Sequence, residues 1–201
     1  VIDILTSSFL VTAKLAGIAY ILAVALGVVV GVVAAVNHGK WVDSVLMTIS
    51  VFGISAPAFW IAIILQIVIC LKFNLLPLSG IDSFKSFILP GIALGTRYAA
   101  SIARITRTSM LDVLSRNALI PIITIAGSDL GNILTGSVLV ESVFSIPGIG
   151  KMLVDSINTR DLPIVQGGVM YIAVICVIMY LVVDLLYTVV DPRIRLGKES
   201  S

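Results

Sequence analysis

The charged residues of this 201-residue chain are few, 12% against 59% hydrophobic, and their settings limit the chemistry they can do. Arg97 lies inside the apolar run 88–102, and Asp129 lies beside Ser128 and Asn132 in a second apolar run rich in glycine. A charge at the centre of a bilayer costs about 2.5–3.5 kcal/mol on insertion scales, so such residues face a bundle interior or an aqueous route, or snorkel to the surface. Arg97 is long enough to snorkel toward the cytoplasm; Asp129 is not. The cluster around Asp129 is therefore read as lining a pore or a subunit interface, with proton coupling a lesser reading for want of a relay partner. No nucleophile stands near a general base, and His38 sits in a turn with no metal-ligating neighbours. Cys70 and Cys176 read as small buried hydrophobes. The segment 147–151 ends in Gly150-Lys151, but Met152 replaces the Ser or Thr of a phosphate-binding loop and the first glycine is missing. Chemistry on a nucleotide is excluded.

The elements that must hold these residues are membrane helices. Charged residues normally make up about 25% of a soluble domain; the 12% here, with a mean hydropathy of +1.15, defines an integral membrane protein. A net charge of +2 argues against nucleic acid as a partner. Residues 1–15 mix polar and apolar side chains and read as an interfacial helix. Five spans follow, at 15–36, 45–71, 88–102, 118–140 and 164–190, each approaching or exceeding the roughly 20 residues needed to cross the hydrocarbon core. Pro57 is expected to kink the second, which is longer than one crossing needs. Phe59 and Trp60 beside it are interface anchors or, with Ser55 and Pro57, part of a path or gate. Glycine pairs four residues apart (Gly27/Gly31, Gly91/Gly95, Gly127/Gly131) mark packing faces.

Basic residues favour the cytoplasmic side. Lys40, Arg104, Arg107 and Arg116 fall on one side with the basic tail, so the N-terminus of this five-span chain is placed outside and the C-terminus inside. Asp184, near the inner end of the last span, reads as an interface residue. Arg104 and Arg107 anchor that inner side and could pair with Asp112 or with a partner protein. A geometric conflict arises just beyond them. The third span continues as an amphipathic helix over 104–114, rising about 16 Å, yet only residues 115–117 lead back to the fourth span, a reach of about 11 Å. A cytoplasmic segment is expected to be missing between Leu114 and Ser115; the other reading lays the helix flat in the interface.

Several stretches together resemble one family. These are residues 55–60 (SAPAFW), 75–80 (LLPLSG), 103–107 (ARITR), 109–114 (SMLDVL), 116–121 (RNALIP), 136–141 (GSVLVE) and 147–150 (PGIG), with Asp191-Pro192-Arg193 near the end. The chain resembles the B-type permease subunit of bacterial oligopeptide, dipeptide and nickel ABC importers. The resemblance implies an all-α integral membrane protein, a polytopic bundle of the type I ABC importer permease kind, forming one transmembrane permease domain over 1–201. It implies six spans in the family, so that the first is absent from this chain, which opens on Val1. It implies a coupling loop at the Leu114–Ser115 junction, flanked here by Arg104, Arg107 and Asp112 on one side and Arg116, Asn117 and Pro121 on the other. It also implies an outer segment that receives a substrate-binding protein, carrying Glu141, Phe144, Pro147, Gly148 and Gly150; a structured loop capping the bundle is the other reading.

The implied partners are a second, similar permease, two ATPase subunits and an extracytoplasmic binding protein, in a bacterial or archaeal cytoplasmic membrane. No cofactor is expected in this chain, since ATP and Mg belong to the ATPase subunits. Peptide is the default substrate, with nickel chelates and glutathione handled by close relatives. An ion-gradient transporter using Asp129 or Arg97 is the main rival, although the spans show no internal repeat. A non-transporting scaffold subunit is the third reading.

Overall fold

The computed structural model describes residues 1–81, 83–112, 129, 132–133 and 136–190. Among them the chain is helical with no strand: α1 (Ile2–Val36), α2 (Trp41–Ser55), α3 (Ala58–Leu65) running into a π-helical segment (Gln66–Lys72), α4 (Lys85–Leu111), α5 (residues 136–143), α6 (Ile149–Thr159) and α7 (Leu162–Val190). Helices α1 and α7 are long and apolar enough to cross a membrane, and α2 with the α3–π segment forms a third candidate. The 118–140 span falls mostly outside the described residues, as do the Leu114–Ser115 junction and the Gly127/Gly131 pair.

The frame is the parallel pair α1 and α4, along which Ala19 meets Gly95, Gly27 meets Ile102 and Gly31 meets Thr106. Helix α1 buries Ala19, Ala23, Gly27 and Gly31, a ridge of small residues at four-residue spacing. A Cβ at Gly27 would stand 2.7 Å from the Ala99 carbonyl oxygen, and one at Gly31 would stand 2.5 Å from Thr106 Cβ. From the other side, a Cβ at Gly95 would stand 2.8 Å from the Ala19 carbonyl oxygen. Two of the glycine pairs read from sequence thus meet on opposite sides of a single interface. Lipid tails are as apolar as leucine, so membrane helices associate through such close backbone approach rather than by expelling water.

Two elements differ from the sequence expectation, and the kink expected at Pro57 is a full break. Residues 2–15 are the first turns of α1, a continuous helix about 52 Å long, rather than a separate interfacial helix. Packing makes the difference, because Leu5 is buried near Gly168 and the Phe9 ring meets Tyr171 edge-on at 5.8 Å. The second span is broken at residues 56–57, and its halves lie 106° apart. Ala56 and Pro57 are both extended (ψ 129° and 137°), and the proline stands directly before α3, where its missing N–H costs least. The outer stretch 141–163, expected as a polar loop, contains amphipathic helix α6. Its buried positions Ile149, Leu153 and Ser156 fall on one helical face, too short a pattern to stand out in sequence.

The α1–α4 seam yields a direct test. Gly31→Ala should cost about 1–3 kcal/mol through overpacking, seen as a lower melting temperature in detergent. Gly17→Ala, where an added Cβ meets nothing within 4 Å, should melt at or above the wild-type temperature.

Candidate functional site: a polar cavity and its two anchors

Helix α4 presents Arg97 near its midpoint, exposed and without a hydrogen bond or ion pair to any described residue. Around it lie Tyr98 and Ser101 on α4, Ile54 at the end of α2, and Asp129, Asn132 and Gly136 from the next membrane element. Together they line a cavity of about 490 Å³, within the usual range of small-molecule sites. One Asp129 carboxylate oxygen (Oδ2) is buried there and has no hydrogen-bond partner. Tyr180 of α7 donates to Asn132 Oδ1 at 3.3 Å, tying the last helix to the cavity wall.

The structure therefore brings Arg97 to one cavity with Asp129 and Asn132, which lie 32 and 35 residues further along the chain. Ser128, named with them, lies outside the described residues. Ser55, Pro57, Phe59 and Trp60 form a different place: with Phe52 and Ala56 they line an apolar hollow of about 290 Å³ at the α2–α3 break. Ile54, one residue before that hollow, belongs to the polar cavity, so the break adjoins the charged site. Tyr98, Ser101 and Tyr180 are additions that sequence reading missed. An aromatic or a serine in an apolar helix carries no signal by itself, although Ser101 lies four residues from Arg97, hence on the same helix face.

Two polar locks hold the frame at either end of α1. At the end carrying the α1–α2 turn, Arg107 Nε and Nη2 donate to Asp43 Oδ1 and Oδ2 at 2.6 and 2.7 Å, a two-pronged ion pair with a buried carboxylate. The Gly39 amide donates to the same Oδ2 at 3.2 Å. His38 Nδ1 stands 3.0 Å from Arg107 Nη2 and 3.2 Å from Asp43 Oδ2; the tautomer protonated at Nε2 accepts from the guanidinium. The expected pairing of Arg107 with Asp112 is thus corrected. Five residues along a helix turns a side chain well away from its neighbour's face, whereas the α1–α2 turn delivers Asp43. Arg104 and Asp112 are exposed, and Arg104 lines a hollow beside Asp43 and Arg107. Arg116, Asn117 and Pro121 lie outside the described residues.

At the opposite end, Glu141 is fully buried. Thr12 Oγ1 donates to its Oε1 at 2.7 Å, and the Gly150 and Lys151 amides donate to Oε2 at 2.9 and 3.1 Å. The Ile149 amide donates to Thr12 Oγ1 at 2.9 Å, and the Gly148 amide donates to the Ile146 carbonyl at 2.7 Å. A helix start leaves four backbone donors unpaired and favours an anion. Here Glu141, Thr12 and one carbonyl take all four at α6. This explains the glycines: a Cβ at Gly148 would stand 2.4 Å from the Glu141 carboxyl carbon, and one at Gly150 would stand 2.6 Å from Val138 Cα. Glu141, Phe144, Gly148 and Gly150 are buried and build the outer segment, while Pro147 is exposed. The 75–80 stretch is fastened nearby, with Gln66 Nε2 donating to the Leu78 carbonyl at 3.0 Å and to that of Val143 at 3.3 Å.

A helical bundle with a polar cavity and fastened ends is a frame suited to a transport subunit, and the comparisons identify it as one. Residues 27–117 and 112–196 match the family described as "Binding-protein-dependent transport system inner membrane component". The glutathione transport system permease protein of Escherichia coli (strain K12) is 38% identical over 218 residues, covering 97% of this chain and 71% of the relative. The corresponding protein of Salmonella choleraesuis is 38% identical over 214 residues, covering 95% and 70%. A solved structure titled "Crystal structure of an amino acid ABC transporter with histidines" superposes with a TM-score of 0.64 at 19% identity, covering 95% of this chain and 94% of that one; it bears on the fold. The chain belongs to the binding-protein-dependent transport system inner membrane component family. It is a permease subunit of an ABC importer, a multi-pass inner-membrane protein, and not itself an enzyme.

Both locks are testable. Glu141→Ala strands three donors and should cost about 1–3 kcal/mol, with hydrogen exchange of the 149–151 amides accelerating while the α1–α4 seam stays protected. Asp43→Asn and Arg107→Gln should each lower the melting temperature. Because the two share one interaction, the double variant should lose less than the two single losses combined.

Proposed function

We propose that the chain forms half of the translocation pathway of an importer for a short peptide or a peptide-like solute of the glutathione kind, the other half coming from a second, similar permease. Two ATPase subunits bind ATP and Mg beneath it, and an extracytoplasmic binding protein delivers substrate. The observation that carries the reading is the mid-depth cavity holding Arg97, Asp129 and Asn132. A bundle needing only to anchor other proteins would not keep a guanidinium and a carboxylate there, given the cost of charge in lipid. The relatives named for glutathione transport support a peptide-like cargo over a nickel chelate. The outer segment around α6, with Pro147 exposed, is the surface offered to the binding protein.

The segment that meets the ATPases belongs between Leu114 and Ser115 and is absent from this chain. Two facts support this. The family match comes in two stretches that overlap at residues 112–117, and the alignment of 218 positions to the relative is longer than the 201-residue chain, so the relative carries residues that this chain lacks.

The test is co-expression with the partner permease, ATPases and binding protein of a peptide importer, followed by reconstitution in liposomes. The partner permease is expected to co-purify with the chain as it stands. ATP-driven uptake is expected once a relative's cytoplasmic segment is inserted between Leu114 and Ser115. Uptake driven by an ion gradient without the ATPases would overturn the importer reading. ATP-driven uptake without the insertion would overturn the missing segment alone.

A further inference from the structure

The hollow between α2 and α4 at the end carrying the α1–α2 turn has a free cation in its wall. Arg104 is exposed there, and among the described residues its side chain makes no hydrogen bond or ion pair. The Ser44 hydroxyl, on α2, is likewise exposed and unbonded. Asp43 lies in the same wall but is held by Arg107 at 2.6 Å, so the lining keeps a net positive charge around a space of about 390 Å³. Asp112, just past the end of α4, stands about two turns beyond Arg104 and outside the lining. The basic residues put this end on the cytoplasmic side. The hollow shares no lining residue with the polar cavity of Arg97.

Away from its charged end the hollow turns apolar. Ser44, Met47, Val51 and Ser55 recur at three- and four-residue spacing and so form one face of α2. Ser44, Met47 and Val51 line the charged hollow, and Ser55 lines the apolar hollow beside Trp60 at the α2–α3 break. Val51 and Phe52 between them are exposed, so no described residue covers the track. From Ser44 to Ser55 the helix rises about 16 Å, half of the roughly 30 Å hydrocarbon core and therefore the depth of one leaflet. A cation and a hydroxyl at the membrane surface, followed by an apolar track one leaflet deep, match an amphiphile rather than a soluble anion.

We propose that this groove holds an anionic phospholipid of the inner leaflet, with its phosphate on Arg104 and Ser44 and one acyl chain laid along Met47 and Val51 to the hollow beside Trp60. A guanidinium fork suits phosphate oxygens, and basic pockets at the cytoplasmic ends of membrane helices take lipid headgroups in this way. The tail touches both sides of the α2–α3 break. The site does not depend on what the importer carries.

The chain has two tryptophans, so Trp41→Phe leaves Trp60 as a single reporter at the tail end of the groove. The full chain is placed in phosphatidylcholine nanodiscs containing a fixed fraction of phosphatidylglycerol, and either lipid is brominated near the far end of its acyl chains. Brominated phosphatidylglycerol is expected to quench Trp60 as though enriched about fivefold over its bulk fraction, the yield of one basic contact at the surface. Arg104→Gln should remove that excess, and Lys72→Gln, on the outer side, should leave it unchanged. Equal quenching by the two lipids would overturn the proposal, as would an equal loss in the Arg104 and Lys72 variants. Millimolar inorganic phosphate that abolishes the excess at constant ionic strength would mark a soluble-anion site and overturn it too. Loss of the excess when the partner permease, with its own tryptophans replaced, is added would assign the groove to the interface between permeases instead. The wild-type comparison of the two lipids decides even where a variant fails to fold.

Discussion

The close parallel approach of α1 and α4 is the constraint on which the other features depend. Within lipid there is no water to expel between helices, so their pairing relies on van der Waals contact at short range, and only small residues allow it. Gly27, Gly31 and Gly95 stand where a methyl group would meet backbone oxygen or side-chain carbon below 3 Å. With that seam closed, the register of α1 on α4 is set. The α1–α2 turn then lies beside Arg107, Thr12 lies beside Glu141, and Arg97 is turned away from the seam toward the cavity.

The two polar locks solve different problems with the same physics. Asp43 would be a buried carboxylate without a counterion; the guanidinium of Arg107 and the Gly39 amide satisfy it. The α6 N-terminus would leave backbone donors bare beside a membrane; the Glu141 carboxylate and the Thr12 hydroxyl satisfy them. Both locks join segments far apart in the chain, so each also fixes tertiary structure. The cavity, with Arg97 and Asp129 in its lining, lies between them.

That contrast gives the transport reading its physical content. Both ends are closed by direct polar pairing, whereas Arg97 and Asp129 line an open cavity between them. The break at residues 56–57, adjoining the cavity through Ile54, puts an extended stretch of backbone next to the charges. An extended stretch between helices can change direction without unwinding either one.

Much of the molecule was legible in the residues. Membrane residence, the break at Pro57, the packing role of two glycine pairs and the importance of Arg97 and Asp129 all follow from local facts: the cost of charge in lipid, the missing donor of proline and the size of glycine. What the sequence could not disclose depends on long-range geometry. Arg107 gives no local sign that its partner is Asp43 rather than Asp112, and Glu141 looks like an outer-loop acid until α6 starts against it. The sequence by itself determined that this chain lives in a membrane and which residues are too costly to be idle there. Only the tertiary structure decided which charges find partners and which stay open, because partnership is set by the register of packed helices and not by distance along the chain.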